Sequence, residues 1–335
     1  MERTRLAQRI RSWLVAAGVV VATLAPVAQA DYSVHPQGKA FIDEMVKTHR
    51  FEGDQLRQLL RQAERQESIL QAIARPAERV LTWKDYARIF LTTERIEDGR
   101  EFLKQHRETL ARAEAVYGVP PEIIVAILGV ETKYGRIQGR HRVIDALTTL
   151  GFDYPPRATF FRSELEQYLL MTREQGFDPL TLTGSYAGAM GYGQFIPSSF
   201  RRYAVDFDGD KVADIWNNPV DAIGSVANYF KQKGWQAGEP VVTPVQVKGM
   251  DYRRMLQKGL KPTHTLAELK RAGVLLPDSY DPQQAGLLLE LEGEQGLEHW
   301  VGFHNFYVIT RYNISHLYAL AVYQLSRELL NDSSS

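Results

Sequence analysis

The sequence predicts a mainly α protein of the α+β class, in which helices dominate and a small strand-rich region is inserted towards the C-terminal end. Apolar residues recur at three- and four-residue spacing through most of the chain, as at Leu56, Leu59, Leu60 and Ala63, which is the period of amphipathic helices. Short β-like runs are concentrated after Gly234. The 335 residues, 44% of them hydrophobic, are enough for more than one hydrophobic core.

The first thirty residues predict a secretory signal peptide. Four arginines precede an apolar run over residues 13–25, and Ala28-Gln29-Ala30 is a small-x-small cleavage site before Asp31. A transmembrane anchor is the alternative, but the run is shorter than the roughly 20 residues that a bilayer span needs. We therefore expect an exported, soluble protein without a membrane anchor.

Composition excludes several classes of function. The chain has no cysteine, which excludes disulfides, thiolate metal sites, cysteine nucleophiles and cysteine lipidation. Its 40 basic and 40 acidic residues become 36 and 39 without the four Arg and one Glu of residues 1–30, a net charge of −3. Nucleic-acid binders usually show a basic surplus, so we expect no nucleic-acid partner.

The pattern predicts four regions after the signal peptide. Residues 31–110 form an N-terminal helical region, and residues 111–235 continue the helical pattern between Gly- and Pro-rich turns. Residues 236–305 form the strand-rich region. Residues 306–335 return to a helical pattern, and we expect this C-terminal segment to complete the groove and the helical region.

Two runs in the C-terminal third are β-like, at residues 287–291 and 301–310. The apolar spacing over residues 313–330 instead predicts a helix. The strand-rich region therefore has no role that its sequence reveals, and we expect it to border the site.

The clearest candidate for chemistry is Glu131, at the end of an apolar helix. Pro120-Pro121 predicts the start of this helix and Gly135 its end. Glu131 follows Ile127 by four residues and Leu128 by three, so we expect its carboxyl on the apolar face. Burial and the negative end of the helix dipole should both raise its pKa. A carboxyl that is protonated near neutral pH can act as a general acid.

An internal ion pair explains the same position equally well. Lys133 and Arg157 are the nearest candidate partners. A raised pKa marks a candidate rather than a reaction, so position alone leaves both interpretations open.

A second unusual segment is the glycine-rich stretch over residues 185–200. Its glycines permit close approach of a ligand to the backbone, and Gln194 can both donate and accept hydrogen bonds to sugar hydroxyls or amides. Close helix packing explains the glycines equally well. The spacing fits neither a dinucleotide-binding nor a Walker fingerprint.

Three segments occur together in this chain: Glu131-Thr132-Lys133-Tyr134-Gly135, Ala187-Gly188-Ala189-Met190-Gly191-Tyr192-Gly193-Gln194-Phe195 and Trp216-Asn217-Asn218-Pro219-Val220-Asp221-Ala222. In combination they resemble the lytic murein transglycosylase B family over nearly the whole chain after residue 30. The resemblance implies a lysozyme-like helical catalytic core in residues 111–235. It implies cleavage of the β-1,4 MurNAc–GlcNAc bond of peptidoglycan, a 1,6-anhydro-MurNAc product end and Glu131 as the single acid/base.

The resemblance also implies where the protein acts. Membrane-bound members of the family carry a lipidated cysteine, which this chain lacks, so we expect a soluble periplasmic form. Its expected partners are peptidoglycan glycan strands, with other cell-wall enzymes as further candidates. We expect a monomer with no organic cofactor.

The family's sugar-binding positions map onto seven residues of this chain, and the resemblance implies Arg157 as a further substrate contact. Tyrosine rings offer apolar faces to pyranose rings, whereas Ser, Gln and Asn offer directional hydrogen bonds. Core packing is the alternative for any single tyrosine. The residues implied by the resemblance are Tyr86, Arg157, Ser185, Gln194, Tyr229, Tyr312, Asn313 and Tyr318.

One carboxylate could suffice for the reaction, although ordinary glycosidases use two. Asp145 and Asp153 are the nearest later acidic residues, and we interpret them as turn or surface residues. If the acetamido oxygen of MurNAc stabilises the developing cation at C1, its own C6 hydroxyl can attack once Glu131 has become a base. Water is then not required.

An acidic loop predicts a structural calcium site. Acidic residues alternate along Asp206-Phe207-Asp208-Gly209-Asp210-Lys211-Val212-Ala213-Asp214, as in the first half of an EF-hand loop. The loop departs from that pattern at Lys211, where Gly is usual, and at Asn217, where a Glu usually closes the site. A solvated acidic turn is the alternative.

Related loops in the family are closed by a later aspartate, which here is Asp221. The resemblance therefore implies a weak, structural Ca²⁺ site that ties the helix ending near Tyr203 to the helix beginning near Pro219. Its ligands would be Asp206, Asp208, Asp210, Val212, Asp214 and Asp221.

Two other functions fit the same residues. One is a hydrolytic muramidase that uses water as the acceptor, and it differs only in its product. The other is a non-catalytic peptidoglycan-binding scaffold, in which Glu131 is structural.

Overall fold

The protein is described here by a computed structural model over residues 31–74 and 81–331. The predicted signal peptide, residues 1–30, lies outside the described residues. Within them lie fourteen α-helices and seven strands. The helices are α1 (Pro36–His49), α2 (Gly53–Gln62), α3 (Glu67–Ala74), α4 (Trp83–Phe90), α5 (Thr93–Gln105), α6 (Arg107–Tyr117), α7 (Pro121–Thr132), α8 (Val143–Asp153), α9 (Ala158–Gln175), α10 (Pro197–Tyr203), α11 (Pro219–Gln232), α12 (Leu266–Arg271), α13 (His304–Thr310) and α14 (His316–Leu330). The strands are β1 (His141–Arg142), β2 (Thr183–Gly184), β3 (Val242–Val247), β4 (His264–Thr265), β5 (Val274–Leu275), β6 (Ala285–Gly293) and β7 (Gly296–Gly302).

Across residues 31–74 and 81–331, no single helix is long and apolar enough to cross a membrane. Taken as a pair, α6 and α7 reach the required length and composition, but they bend by 111° at the break between them.

Helix α7 lies at the centre of the larger hydrophobic core. Residues 123–130 are all buried, and α5, α6, α11 and α14 pack around the helix. The predicted one-sided apolar face is therefore wrong, because a central helix has no solvent-facing side. Glu131 is nevertheless in an apolar setting, since it follows this buried stretch directly.

Helix α7 begins as predicted and ends earlier than predicted. Pro121 occupies its first turn, where a missing backbone N–H is harmless. It ends at Thr132, because Lys133 and Tyr134 have φ values of 48° and 58° in the left-handed region. Their amides donate to carbonyls of the last helical turn at 3.1 and 3.0 Å. Gly135, with φ 89°, is the third left-handed residue in the turn and not the helix terminator.

The ring of Tyr134 fixes the end of α7 against α5. Its hydroxyl donates to the Arg95 carbonyl oxygen at 2.7 Å. A Cβ at Gly99 of α5 would lie 2.3 Å from the Tyr134 hydroxyl oxygen, and a Cβ at Gly129 of α7 would lie 2.6 Å from the Tyr134 ring. Both helices therefore need glycine where the ring passes between them.

Five strands form an antiparallel sheet in the order β4-β6-β7-β3-β5. They all fall within residues 236–305, and the predicted domain boundaries themselves stay a prediction. Leu287, Leu289 and Leu291 on one face of β6 join the larger core. Leu288 and its partner Val301 on the other face join a second, smaller core with α12.

The prediction of a β-like run over residues 301–310 is wrong beyond Gly302. The chain leaves the sheet there and forms α13. Phe306, Val308 and Ile309 of this helix are buried in the larger core. Their β-branched and aromatic types favour strands in isolation, but burial at helical spacing overrides that preference. The Asn305 side chain anchors the start of α13 through bonds to the backbone of Gln236 and Glu239.

The β6–β7 hairpin contacts the helix that carries Tyr86. Lys84 and Arg88 of α4 pair with Glu292 and Glu294 near the hairpin turn, each at 2.7 Å. Such exposed pairs add little stability, and they accompany the packing of α4 against β6 and α14. The strand-rich region thereby positions one edge of the site described next.

Candidate active site

Glu131 lies next to the last residue of α7, crowded by protein atoms but not fully closed to solvent. Burial raises the pKa of its carboxyl to about 7, although a hydrogen bond from Tyr318 opposes the shift. The Tyr318 hydroxyl donates to Glu131 Oε1 at 2.6 Å. At neutral pH this carboxyl is therefore divided between its protonated and ionised forms, so that it can both give and take a proton.

The alternative ion pairs for Glu131 are wrong. Lys133 pairs with Glu94 at 3.6 Å, and the Arg157 guanidinium stacks over the Phe160 ring at 4.6 Å. Within residues 31–74 and 81–331 no cation forms an ion pair with Glu131. No positive charge therefore offsets the effect of burial on the pKa of this carboxyl.

Three of the predicted tyrosines form one aromatic wall beside Glu131. The rings of Tyr318 and Tyr312 lie parallel with centroids 6.5 Å apart, and Tyr229 meets Tyr312 edge-on at 4.7 Å. The Tyr312 hydroxyl donates to the Gly193 carbonyl oxygen at 2.5 Å, and the Tyr229 hydroxyl donates to the Arg311 carbonyl oxygen. Tyr318 is buried, which fits core packing, whereas Tyr312 is partly exposed, which fits a ligand-binding surface.

Tyr86 approaches the same carboxyl from α4. Burial raises the pKa of its hydroxyl, and the charge of Glu131 raises it further. The carboxyl thus lies between α4 on one side and α14, which carries Tyr318, on the other.

The glycine-rich segment is held in shape by its own side chains. Ser185 Oγ accepts hydrogen bonds from the Ala187 and Ala189 amides at 3.3 and 3.0 Å, so its hydroxyl proton is free to donate to a ligand. Gln194 has φ 50°, and its Nε2 donates to the carbonyls of Gln138 and Gly191 at 3.1 and 2.9 Å. The acceptor Oε1 of Gln194 remains for a ligand.

The glycines of this segment serve close packing, which was the alternative to ligand approach. A Cβ at Gly193 would lie 2.8 Å from the Tyr312 hydroxyl oxygen, and a Cβ at Gly191 would lie 2.5 Å from the Ile215 carbonyl oxygen. A larger residue at Gly193 would displace Tyr312, so Gly193 sets the position of this part of the aromatic wall.

Two residues that the sequence did not single out connect α7 to the segment. Thr132 Oγ1 donates to the Tyr192 carbonyl oxygen at 2.8 Å and accepts from the Gly135 amide at 2.9 Å. Gln138 Nε2 donates to the Gly135 and Trp216 carbonyl oxygens. The only sequence signal for Thr132 was its place beside Glu131, and Gln138 had none.

Two predicted substrate contacts are not joined to this cluster. Asn313 is exposed in the turn before α14, two residues past Arg311, whose carbonyl receives the Tyr229 hydroxyl. Arg157 is exposed at the start of α9 and stacks on Phe160 and Phe161. Their contribution to the site stays a prediction.

Neither neighbouring aspartate supplies a second catalytic carboxylate beside Glu131. Asp145 is buried, pairs with Arg142 at 2.7 Å and accepts from the Glu64 amide at 2.8 Å, so its interpretation as a turn or surface residue is wrong. Asp153 ends α8 and accepts from the Tyr32 hydroxyl at 2.6 Å. Both side chains stabilise the packing of the N-terminal helices onto α8.

The acidic loop brings three of its six predicted ligands together. Carboxylate oxygens of Asp206, Asp208 and Asp210 lie within 4.8 Å of one another. Asp221 is buried and accepts from the amides of Phe207 and Asp214 at 2.7 and 2.8 Å. Through these two hydrogen bonds Asp221, in α11, holds the backbone of the loop that joins α10 to α11.

The remaining geometry fits a cation loop in part. Lys211 adopts φ 81°, the left-handed conformation for which EF-hand loops use glycine at this position. Asp214 accepts from the Trp216 and Asn217 amides, and Val212 donates its amide to Asp210 Oδ1 at 2.8 Å. The three clustered carboxylates have no cationic side chain paired with them in the described residues. Hard oxygen donors of this kind suit Ca²⁺.

Comparison with known proteins adds to this geometry. The family model described as "Transglycosylase SLT domain" matches residues 33–327. The chain is 44% identical over 306 residues to Membrane-bound lytic murein transglycosylase B of Escherichia coli (strain K12), which covers 89% of this chain and 83% of that protein.

Solved structures are similar over most of the chain. Soluble lytic transglycosylase SltB1 from Pseudomonas aeruginosa has a TM-score of 0.86 and 55% identity, covering 88% of this chain and 98% of that chain. Lytic transglycosylase Slt35 of Escherichia coli, solved in complex with calcium, has a TM-score of 0.81 and 45% identity, covering 90% and 94%. SltB3 from Pseudomonas aeruginosa, solved in complex with NAG-NAM-pentapeptide, has a TM-score of 0.80 and 31% identity, covering 88% and 79%.

Burial of the Glu131 carboxyl predicts a pH-dependent gain of stability on Glu131→Gln. The folded-state pKa of about 7 is above the usual 4.5, so the protonated form stabilises the fold at low pH and this contribution is lost as pH rises towards 7. Gln is uncharged throughout. The free energy of unfolding of the variant should match that of the natural protein at pH 4 and exceed it by up to about 3 kcal/mol at pH 8.

Denaturant unfolding at pH 4, 6 and 8 measures this difference. Glu122→Gln is the matched control, at the opposite end of α7, and it should not reproduce the gain of stability at pH 8. A constant difference for Glu131→Gln across the range would contradict the raised pKa.

Proposed function

The chain belongs to the transglycosylase SLT domain family, as a lytic transglycosylase of the murein B type, and from this premise we propose that Glu131 is its single catalytic acid/base. The protein is a lyase that cleaves peptidoglycan. The assignment rests on the carboxyl of Glu131, which is largely buried and has a pKa of about 7. No cation of the described residues pairs with it, and an aromatic wall lies beside it.

In the first half of the reaction Glu131 acts as an acid. Its protonated carboxyl donates to the glycosidic oxygen between MurNAc and GlcNAc, and the bond from that oxygen to C1 of MurNAc breaks. The leaving GlcNAc takes the proton as its 4-hydroxyl. The acetamido oxygen of the same MurNAc stabilises the cation at C1, which replaces the second carboxylate of ordinary glycosidases.

In the second half Glu131 acts as a base. The carboxylate removes the proton of the MurNAc C6 hydroxyl while O6 forms a bond to C1, which leaves the 1,6-anhydro ring and restores the protonated acid. No water is consumed. The Tyr318 hydroxyl, 2.6 Å from Oε1, stabilises the carboxylate that exists between the two halves.

The surrounding side chains suit a glycan. The partly exposed rings of Tyr86 and Tyr312 offer apolar faces, and the buried Tyr229 packs behind Tyr312. Within the described residues, Gln194 Oε1 and the Ser185 hydroxyl proton have no partner. We assign these residues to substrate binding, with Tyr318, Asn313 and Arg157 as further contacts. The natural ligand is then a glycan strand of peptidoglycan, bound by a monomer.

We further propose that the acidic loop holds a structural Ca²⁺ ion. Asp206, Asp208 and Asp210 would supply carboxylates, with Asp214, the Val212 carbonyl and Asp221 completing the set. The support is the clustered carboxylates and the left-handed Lys211. The ion would neutralise the loop and stabilise the junction of α10 and α11, with no part in bond cleavage.

We also propose that residues 1–30 direct export to the periplasm and are removed there. This places the protein in the compartment that contains its substrate.

The reaction predicts anhydro ends in the product. Digestion of purified peptidoglycan should release muropeptides that end in 1,6-anhydro-MurNAc, one water lighter than hydrolysed ends, and Glu131→Gln should release none. Mass spectrometry distinguishes the two ends, and Glu122→Gln is the control that should keep the activity. Reducing ends would identify a hydrolytic muramidase, and no products from the natural protein would identify a binding scaffold.

The Tyr318 hydrogen bond predicts a shift of the pH profile. It lowers the pKa of Glu131, so Tyr318→Phe should raise that pKa and move the alkaline limb of kcat/KM, expected near pH 7, to higher pH. The value of kcat should fall, because the carboxylate intermediate loses a donor. Tyr323→Phe on the same helix should leave the limb in place. An alkaline limb that moves to lower pH in Tyr318→Phe would exclude this role.

Calcium should stabilise the protein through the acidic loop. After chelation, added Ca²⁺ at about one hundred times its Kd should raise the free energy of unfolding by about 2.7 kcal/mol, whereas Mg²⁺ should give less. Thermal unfolding measures the gain, which Asp208→Asn with Asp210→Asn should abolish. Asp43→Asn with Asp54→Asn, exposed in α1 and α2, is the control. An equal response in the loop variant would exclude this site.

A further inference from the structure

Basic side chains line a cavity beside the tyrosines and Gln194 of the proposed glycan groove. A cavity of about 450 Å³ is lined by Gln194, Tyr229 and Tyr312 of the groove, and also by Arg202, Lys233 and Arg311. Among the described residues, no acidic side chain lines this cavity. The groove therefore opens on one side into a positively charged recess.

A second cavity extends this set of basic side chains. It measures about 590 Å³, shares Arg311 and Ile314 with the first, and adds Lys258 and Lys261 from the strand-rich region. Within residues 31–74 and 81–331, no acidic side chain lines this second cavity either. We call Arg202, Lys233, Arg311, Lys258 and Lys261 the basic strip.

The basic strip has no internal counter-charge. Within residues 31–74 and 81–331 its five cations form no ion pair, whereas Arg201, next to Arg202, pairs with Glu174 at 2.6 Å. Lys233 Nζ lies instead over the Tyr203 and Tyr229 rings, at 4.9 and 5.3 Å. Five unpaired cations in a chain with equal numbers of acidic and basic residues make a local positive field that suits an anionic ligand.

The loop of the strand-rich region that carries two of these lysines has a fixed shape. Gln257 Nε2 donates to the Gly259 and Lys261 carbonyl oxygens at 3.2 and 2.6 Å, and the Thr263 hydroxyl donates to Gln257 Oε1. The side chain of Gln257 thus closes the loop from inside. A preorganised loop loses less entropy when it binds a ligand.

The basic strip starts close to the reacting centre. From Tyr318, which bonds Glu131, the ring centroids step 6.5 Å to Tyr312 and 4.7 Å to Tyr229, and Lys233 lies 5.3 Å from the last ring. A substituent that hangs from a sugar bound along the aromatic wall can therefore reach the first cation.

We propose that the basic strip binds the carboxylates of the peptide stems that MurNAc residues carry, so that the enzyme prefers stem-bearing strands. This inference rests on the proposed glycan-cleaving function. An anionic membrane surface is the other source of negative charge. Continuity with the groove favours the stems, and the lining of both cavities exposes one large apolar side chain, Ile314, where a membrane-binding face usually inserts several.

Calorimetric titration in the Glu131→Gln background tests binding without cleavage. The probes are GlcNAc–MurNAc tetrasaccharides that carry pentapeptide stems and stem-free tetrasaccharides whose lactyl carboxyls are amidated, so that only the first probe brings carboxylates. We expect the stem-bearing probe to bind at least about tenfold more tightly, a difference of about 1.4 kcal/mol. Arg202→Gln, Lys233→Gln and Arg311→Gln together should remove this difference and leave the Kd for the stem-free probe unchanged.

Controls separate the basic strip from net charge. Lys39→Gln, Lys47→Gln and Lys104→Gln remove the same charge from exposed positions on α1 and α5 and should keep the difference. Amidation of the stem carboxylates should abolish the difference in affinity between the probes when the basic strip carries no substitution. Lys258→Gln with Lys261→Gln should reduce it in part.

Three outcomes would overturn the inference. The protein shows no preference for the stem-bearing probe, or the triple variant loses affinity equally for both probes. In the third, the triple variant keeps its preference for stems and loses only its binding to phosphatidylglycerol vesicles. Absence of binding to the stem-free probe in the Glu131→Gln background would instead count against the proposed glycan groove. The two failures are therefore distinguishable.

Discussion

The burial of one carboxyl at the end of a central apolar helix is the constraint on which the rest of the structure depends. A charged group in this position is unfavourable, and the described residues supply no cation to offset it. In the part of the chain that the structure describes, one side chain donates a hydrogen bond to this group, the Tyr318 hydroxyl. Its pKa of about 7 follows from that balance, and so does its ability to be an acid in one half-reaction and a base in the next.

The position of the carboxyl is maintained by contacts around the helix end rather than around the carboxyl itself. The left-handed turn at Lys133 and Tyr134 stops α7, and the Tyr134 ring locks it against α5 between two glycines. Thr132 then ties the same helix end to the glycine-rich segment, whose Gly193 receives the Tyr312 hydroxyl. Helix end, segment and aromatic wall therefore form one connected unit, so that a shift in any of them would move the others.

Charge is segregated around this unit. The acidic loop follows α10, the helix that carries Arg202 of the basic strip. A cation bound in the loop would keep its carboxylates from neutralising Arg202. The strand-rich region contributes to both edges of the groove. Its β6–β7 hairpin orients α4 and Tyr86, while its Gln257 loop presents Lys258 and Lys261.

The sequence by itself determined the elements whose signals are local. Apolar periodicity predicted the helical class, Pro121 predicted the start of α7, and alternating aspartates predicted the acidic loop. The three motifs in combination predicted the family and singled out Glu131 as the candidate acid/base. It misjudged the end of α7, the helix over residues 304–310 and the burial of Asp145, because these depend on distant partners: a ring wedged between helices, a core that accepts β-branched residues and an arginine that forms an ion pair. Tertiary structure alone brought Tyr318 to within 2.6 Å of Glu131 across 187 positions of chain. No local pattern encodes such a contact, because it arises only when α14 packs against α7.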